Sequence, residues 1–203
     1  MTREVVIIRT GAANLASVAA GFRRLGVTPR FTELAEDVRE AAYVVLPGVG
    51  ALGPTRRRLE ALGLVEPIIE RAQQGRPLFA VCVGLQMLLT SSEESEDEQG
   101  LGIFSGRAAR FPSHVRVPQL GWNEVRAPDA ARYMVSGEFY FANSYRAERA
   151  PDGVLAAFAE HGGPFVAAFE RGSLLACQFH PELSGKDGRA VMGRWLESSG
   201  EGS

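Results

Sequence analysis

Up to Thr90 the chain alternates short apolar runs with segments of helical spacing, several of them closed by glycine or proline, and that alternation leaves few folds open. Glu4 to Arg9 holds the β-branched run Val5-Val6-Ile7-Ile8, ended by Gly11; such a run bounded by a turn signal reads as a buried strand. From Asn14 to Leu25 the apolar residues Leu15, Val18, Ala19, Phe22 and Leu25 recur at helical spacing, and Gly26 stops them. Val27 to Thr32 reads as a second strand, Glu36 to Ala41 as a short polar helix or turn, and Ala42 to Leu46 as a third strand, closed by Pro47-Gly48-Val49-Gly50. Pro54 to Leu62 and Val65 to Gln74 are helical, Pro77 to Val81 is a fourth strand, and Leu85 to Thr90 opens another helix. Strand–helix alternation of this kind predicts an α/β fold, an open and mostly parallel sheet flanked by helices on both faces.

The second half has a different rhythm. The serine and acidic run Ser91 to Gln99 reads as an exposed loop. Short strands are predicted at Ser105–Phe111, Asn123–Arg126, Glu138–Phe141, Val154–Phe158, Phe165–Glu170 and Leu174–Phe179, with helix returning at Gly188–Leu196. This half is expected to extend the sheet with antiparallel strands. No internal repeat or linker divides the chain, so residues 1–203 are expected to form one domain. A chain of this size can bury one substantial core without disulfides or metals.

Lys plus Arg number 22 and Asp plus Glu 24, a balance that points to neither nucleic acid nor an anionic membrane as partner. The two cysteines, Cys82 and Cys177, stand far apart and make no close metal-ligand pair, which favours a reducing compartment over a disulfide framework. The N-terminal apolar run is too short for a signal peptide, and no stretch approaches the roughly 20 apolar residues of a membrane span. The cytoplasm is the expected location.

Phe79-Ala80-Val81-Cys82-Val83-Gly84-Leu85-Gln86 places a cysteine between a strand and a helix. A nucleophile on so sharp a bend needs little bulk two residues to either side, and Ala80 and Gly84 meet that need. The helix after it would aim its N-terminus, which favours negative charge, at the sulfur. A small cysteine packed in the core fits the same string, and the local pattern does not separate the two. Gln178-Phe179-His180-Pro181-Glu182 supplies partners: if the strand continues through Pro181, His180 and Glu182 face the same side. Glu182 would orient the imidazole, which would take the thiol proton and return one to a leaving group. A surface histidine beside a turn proline is the plainer reading. His114 and His161 read as loop residues outside any site. Glycines at Pro47-Gly48-Val49-Gly50 would aim backbone N–H groups into a cavity, where with the N–H of Val83 they would stabilise an oxyanion; as a plain turn they need no such role. Arg56-Arg57-Arg58 reads as a solvated helix face. Trp122, in the loop-like string Pro118-Gln119-Leu120-Gly121-Trp122-Asn123, reads either as core or as a contact surface.

Taken together these strings resemble the class I glutamine amidotransferases, and among them the glutaminase subunits of imidazole glycerol phosphate synthases. The matching strings are PGVGA at 47–51, CVGLQ at 82–86, PQLGWNEV at 118–125, YFANSYRA at 140–147 and QFHPELSG at 178–185, in the family's order and across nearly the whole chain. The resemblance implies Cys82 as nucleophile, His180 as base and Glu182 as its orienter, with oxyanion donors from the backbone of Gly48, Val49 and Val83. It implies glutamine contacts at Gly50, Gln86, Ser144 and Tyr145, with no cofactor and no metal. It also implies a (β/α)8-barrel cyclase partner in a heterodimer, facing Asn14, Gln119, Trp122, Asn123 and Tyr140, and receiving ammonia through an internal tunnel. Glutaminase activity in such proteins is low until the cyclase binds its ligand, with movement of the Gly48–Gly50 backbone the favoured cause. The chain departs from the pattern at Arg9-Thr10-Gly11-Ala12-Ala13-Asn14, at Gln119 and Asn143, where histidine is common, and at Leu183, where lysine commonly follows His-Pro-Glu. Two rival readings share the strings: a glutaminase serving another synthase, and a catalytically silent binding protein in which Cys82 senses redox state.

Overall fold

The structure, a computed structural model, describes residues 3–198 apart from 12, 13, 96 and 98; Ala12 and Ala13 of the N-terminal departure, and Glu96 and Glu98 of the acidic run, therefore lie outside the described residues. The first half runs β1 (Glu4–Ile8), α1 (Leu15–Arg23), β2 (Thr28–Thr32), α2 (Ala35–Glu40), β3 (Val44–Gly48), α3 (Leu52–Ala61), α4 (Val65–Gln73), β4 (Leu78–Cys82) and α5 (Val83–Leu88). The second half adds β5 (Ser91–Ser92), β6 (Arg107–Arg110), β7 (Gln119–Val125), β8 (Gly137–Asn143), β9 (Tyr145–Ala147), β10 (Leu155–Glu160), β11 (Pro164–Arg171), β12 (Leu174–Cys177), a 3-10 turn at Pro181–Leu183 and α6 (Gly185–Ser198).

One large mixed sheet carries the fold, in the order β2-β1-β3-β4-β12-β11-β9-β6-β5, with β10 added beside β11. From β2 to β12 every pairing is parallel. The central strands are apolar without alternation, as burial on both faces requires: Val5 to Ile8, Val44 to Leu46 and Leu78 to Ala80 are all fully buried. β2 sits at the edge, where Pro29 is tolerated because an outer N–H has no ladder partner to lose. Beyond β12 the strands β11, β9 and β6 pair antiparallel, the expected extension. No helix among the described residues is long and apolar enough to cross a membrane.

Four local expectations needed correction. Ser91–Ser92 is a strand rather than loop, parallel to β6, because backbone pairing there does not depend on apolar side chains: Glu93 N–H donates to Ala108 O at 2.8 Å. β9 was not anticipated; three residues carry no legible period, and its place is set by pairing with β6. β7 starts at Gln119, so Gly121-Trp122-Asn123 lies on a strand rather than in a loop. β7 and β8 pair only with each other, from Gln119↔Asn143 to Val125↔Gly137, as a separate two-stranded ribbon. Its open face exposes Leu120 and Trp122, which removes the apolar-in, polar-out signal by which a strand is recognised.

Two buried side chains hold distant parts together. The Glu170 carboxylate of β11 accepts the backbone N–H groups of Arg132, Tyr133 and Met134 at 2.6, 2.9 and 3.3 Å, anchoring the segment that leads into β8. Trp195 of α6 is fully buried, its ring 5.2 Å from Phe79, 5.5 Å from Tyr43 and 6.4 Å from Phe22 of α1, and its N–H donates to Ser173 O at 3.1 Å. Trp195→Ala leaves a cavity between α1, α6 and the sheet. It is expected to lower the unfolding free energy by about 3–5 kcal/mol, measured by urea denaturation.

Candidate active site

β4 ends and α5 begins at Cys82 without an intervening residue, and the bend forces Cys82 to φ +56°, ψ −111°. A side chain other than glycine's is rarely held there. The bend closes because Gly84 passes directly over β3: a Cβ on Gly84 would overlap the carbonyl oxygen of Leu46. Gly48, the register partner of Cys82 across β3 and β4, is pressed in the same way, since a Cβ there would stand 2.8 Å from Val83 Cβ. The Val83 N–H, at the first position of α5, is among the donors a helix leaves unpaired at its start.

β12 runs parallel to β4, so its C-terminal end brings the following residues to the same edge of the sheet. The continuation through Pro181, on which the same-face reading of His180 and Glu182 was conditional, does not occur. β12 stops at Cys177, and the proline, which has no N–H to give a ladder, opens a 3-10 turn with His180 at its cap. The turn, not pleat alternation, makes neighbours of the two side chains: His180 Nδ1 lies 2.9 Å from Glu182 Oε1, both buried. Burial disfavours the imidazolium, but hydrogen bonds to Cys82 and to Glu182, with their charges, outweigh it and raise the pKa of His180 from 6.5 to about 10. The turn is braced from three sides. His180 N–H donates to Tyr140 O at 2.9 Å, Ser184 Oγ donates to His180 O at 2.6 Å, and Arg24 of α1 donates to Glu182 O at 2.9 Å.

Cys82 opens into a cavity of about 200 Å³ lined also by Gly50, Val83, Gln86, Glu94, Ala142, Asn143, Ser144 and Tyr145. The structure thus brings together Cys82, Val83, Gly50, Gln86, Ser144 and Tyr145 around one cavity, with His180 in contact with Cys82 and with Glu182; Gly48 ends β3 and Val49 follows it. Gln86 Nε2 donates to Gln178 Oε1 at 2.9 Å and to Tyr145 O at 3.2 Å, so its carbonyl oxygen is the polar atom left for the cavity. Two residues of this site were not singled out from the sequence. Gln178, fully buried, donates to Cys82 Sγ at 3.6 Å. Glu94 belongs to the run read as an exposed loop, yet its carboxylate accepts the Leu52 N–H at 2.7 Å at the start of α3, whose Ala51 provides no cap of its own. That uncapped helix start was the one available signal. His161 lies elsewhere, edge-on to Phe111 and bonded to Arg116 O at 2.8 Å.

Residues 6–195 match the family model described as glutamine amidotransferase class-I. This chain belongs to that family. Among curated relatives it is similar to the imidazole glycerol phosphate synthase subunit HisH of Syntrophotalea carbinolica, 40% identical over 93% of this chain and 97% of the relative. The subunit of the same name from Moorella thermoacetica is 38% identical over 94% of this chain and 92% of the relative. Among solved structures, a crystal structure of a glutamine amidotransferase shares the fold with TM-score 0.78 at 19% identity, covering 96% of this chain and 98% of that one. PurLQS from Thermotoga maritima does so with TM-score 0.76 at 16% identity, over 98% of this chain and 99% of that one.

In this glutamine amidotransferase the residues expected at a partner surface divide. Trp122 is 58% exposed and stands edge-on to Tyr140 at 6.2 Å, with Leu120 exposed beside it. Asn14 caps α1 through Ser17 N–H, Asn123 donates to Glu160 O at 2.9 Å, and Gln119 is buried opposite Asn143. A wider, open groove of about 610 Å³ beside Trp122 is lined by Glu124, Ser136, Glu138, Ser184, Lys186 and Asp187, and Cys82 is not part of its lining. The histidine gives the prediction. Its folded pKa lies above the unfolded value, so its pairing contributes stability that is complete below pH about 6.5 and is lost as pH rises through about 10. Cys82→Ala removes one of the raising contacts and is expected to lower the His180 pKa, read from the ring-proton resonances over a pH titration.

Proposed function

We propose that this chain is the glutaminase subunit of an imidazole glycerol phosphate synthase, releasing ammonia from glutamine for a cyclase partner in histidine biosynthesis. One observation carries the reading: a sulfur held on a strained bend and opening into a cavity of about 200 Å³, beside an imidazole that a buried carboxylate orients. The similarity to HisH subunits over more than nine-tenths of this chain supports the choice of synthase.

His180, which its raised pKa keeps protonated at neutral pH, already holds the proton that the sulfur gives up, and Cys82 Sγ attacks the carboxamide carbon of glutamine. The carbonyl electron pair moves onto oxygen, facing the N–H of Val83 and the turn at Gly48, Val49 and Gly50. His180 protonates the amide nitrogen, the C–N bond breaks, and ammonia leaves a thioester on Cys82. Water, deprotonated by His180, attacks the thioester; the C–S bond breaks, glutamate departs and the proton stays on His180. The balance is glutamine plus water to glutamate plus ammonia. Glutamine also brings an ammonium group, and Glu94 is the one charged side chain lining the cavity among the described residues, so it takes that role. Gln86, through its remaining oxygen, and the backbone of Ser144 and Tyr145 hold the rest of the substrate. Ammonia passes through a tunnel to a (β/α)8-barrel cyclase, which uses it to form imidazole glycerol phosphate and an aminoimidazole carboxamide ribotide. The exposed Trp122 and Leu120 face of the ribbon, with Tyr140, is the docking surface.

Cys82→Ala is expected to abolish glutamine-dependent synthesis in the assembled enzyme while added ammonium salt still supports the cyclase; full glutaminase turnover in that variant would sink the reading. Glu94→Ala is expected to raise KM for glutamine by roughly ten- to hundredfold, the size of a hydrogen-bonded charge contact, with a smaller change in kcat. Initial-rate kinetics of the complex measure both.

A further inference from the structure

Gln178 is a buried polar side chain whose bonds go to Cys82 and Gln86. It lies between β12 and the 3-10 turn, beside the buried Phe179, and is itself fully buried. A buried amide is costly unless its groups are paired. Both sides of this one are paired: Nε2 donates to Cys82 Sγ at 3.6 Å, and Oε1 accepts from Gln86 Nε2 at 2.9 Å.

The direction of this chain of amides is fixed by a backbone atom. Tyr145 O can only accept, so the Gln86 atom 3.2 Å from it is nitrogen. That same nitrogen meets Gln178, whose facing atom must therefore be oxygen, and the atom left for the sulfur is an N–H donor. Asn143 Nδ2 donates to the same Tyr145 carbonyl at 3.0 Å, which strengthens the anchor.

We propose that Gln178 is a catalytic residue: its side-chain N–H holds the Cys82 sulfur in the attacking orientation, while its carbonyl oxygen fixes the direction in which Gln86 faces the substrate. The assignment rests on Cys82 being the nucleophile of the proposed reaction. A donor aimed at sulfur acts most strongly when sulfur carries the electron pair, at attack and again when the thioester C–S bond breaks. His180 cannot serve as the sole donor throughout, because it must hand its proton to the leaving nitrogen. Gln178 has no proton to transfer and keeps its bond through the cycle.

Gln178→Glu separates the two roles. The carboxylate still accepts from Gln86 but presents oxygen, not N–H, to the sulfur. In the complex with the cyclase, kcat for glutamine is expected to fall roughly ten- to hundredfold with KM changed by less than about threefold. Alkylation of Cys82 by iodoacetamide in the free chain at neutral pH falls in parallel, and ammonium-dependent synthesis is unchanged. Gln178→Met removes both bonds, so KM rises as well; a merely structural role would give the two variants the same kcat and KM pattern. Native kcat and native alkylation in Gln178→Glu overturn the proposal. One measurement needs no folded Gln178 variant: the side-chain amide resonances of Gln178 in the 15N-labelled wild-type chain are expected to move in Cys82→Ala and after carboxamidomethylation of Cys82, and unmoved resonances overturn it. If the wild-type complex releases no ammonia from glutamine, the glutaminase reading fails, whereas the resonances still report on the contact between Gln178 and the sulfur.

Discussion

α5 lies so close to β3 that the carbonyl of Leu46 occupies the space a side chain on Gly84 would need, and the geometry of the site descends from that contact. Because the helix must start directly above the sheet, the chain has no room for a connecting residue, and Cys82 takes the positive φ that a loop would otherwise relieve. Strain of this kind persists only when the surroundings over-determine it. Here they do: β4 is fixed between β3 and β12 by parallel pairing on both sides, and the first residues of α5 are buried. The sulfur is therefore presented at the carboxyl edge of the parallel strands, where open α/β sheets leave a crevice.

The polar groups around that sulfur form two arms, each tied to backbone. One runs from His180, in contact with Cys82, to Glu182, in a turn held by Tyr140, Ser184 and Arg24. The other runs from Cys82 through Gln178 and Gln86 to the carbonyl of Tyr145. In a buried setting such chains are strong when complete and costly when broken, so both arms restrict where the sulfur can stand.

The β7–β8 ribbon connects this interior to the surface. Its outer face shows Leu120 and Trp122, while the inner end supplies Asn143 to the cavity wall and the Tyr140 carbonyl to the His180 N–H. Tyr140 N–H also donates to Ser184 Oγ at 3.0 Å, so one residue of the ribbon is bonded at both backbone groups to the histidine turn. A protein seated on the ribbon would rest one residue away from those bonds.

Much of the first half was readable in order along the chain. A short, β-branched apolar run such as Val5 to Ile8 fits a strand buried on both faces, and the small residues flanking Cys82 permit a bend that larger ones would block. The His-Pro-Glu string was legible as chemistry, but its same-face geometry comes from a turn and not from a continued strand, because Pro181 acts through the hydrogen bond it cannot make. The ribbon was misplaced because Leu120 and Trp122 of its first strand point outward, although Phe139 and Phe141 of the second are buried. Glu94 and Gln178 carried no local mark: a glutamate in an acidic run and a glutamine beside a phenylalanine look the same wherever the chain takes them. The sequence by itself determined the parallel sheet, the bend at Cys82 and the residue types able to serve it, since periodicity and side-chain volume act between neighbours. Only the tertiary structure decided which carboxylate lines the cavity and which amide meets the sulfur, because those contacts join residues 42 apart (Leu52 and Glu94) and 96 apart (Cys82 and Gln178), and only the packed sheet brings such distances to hydrogen-bond length.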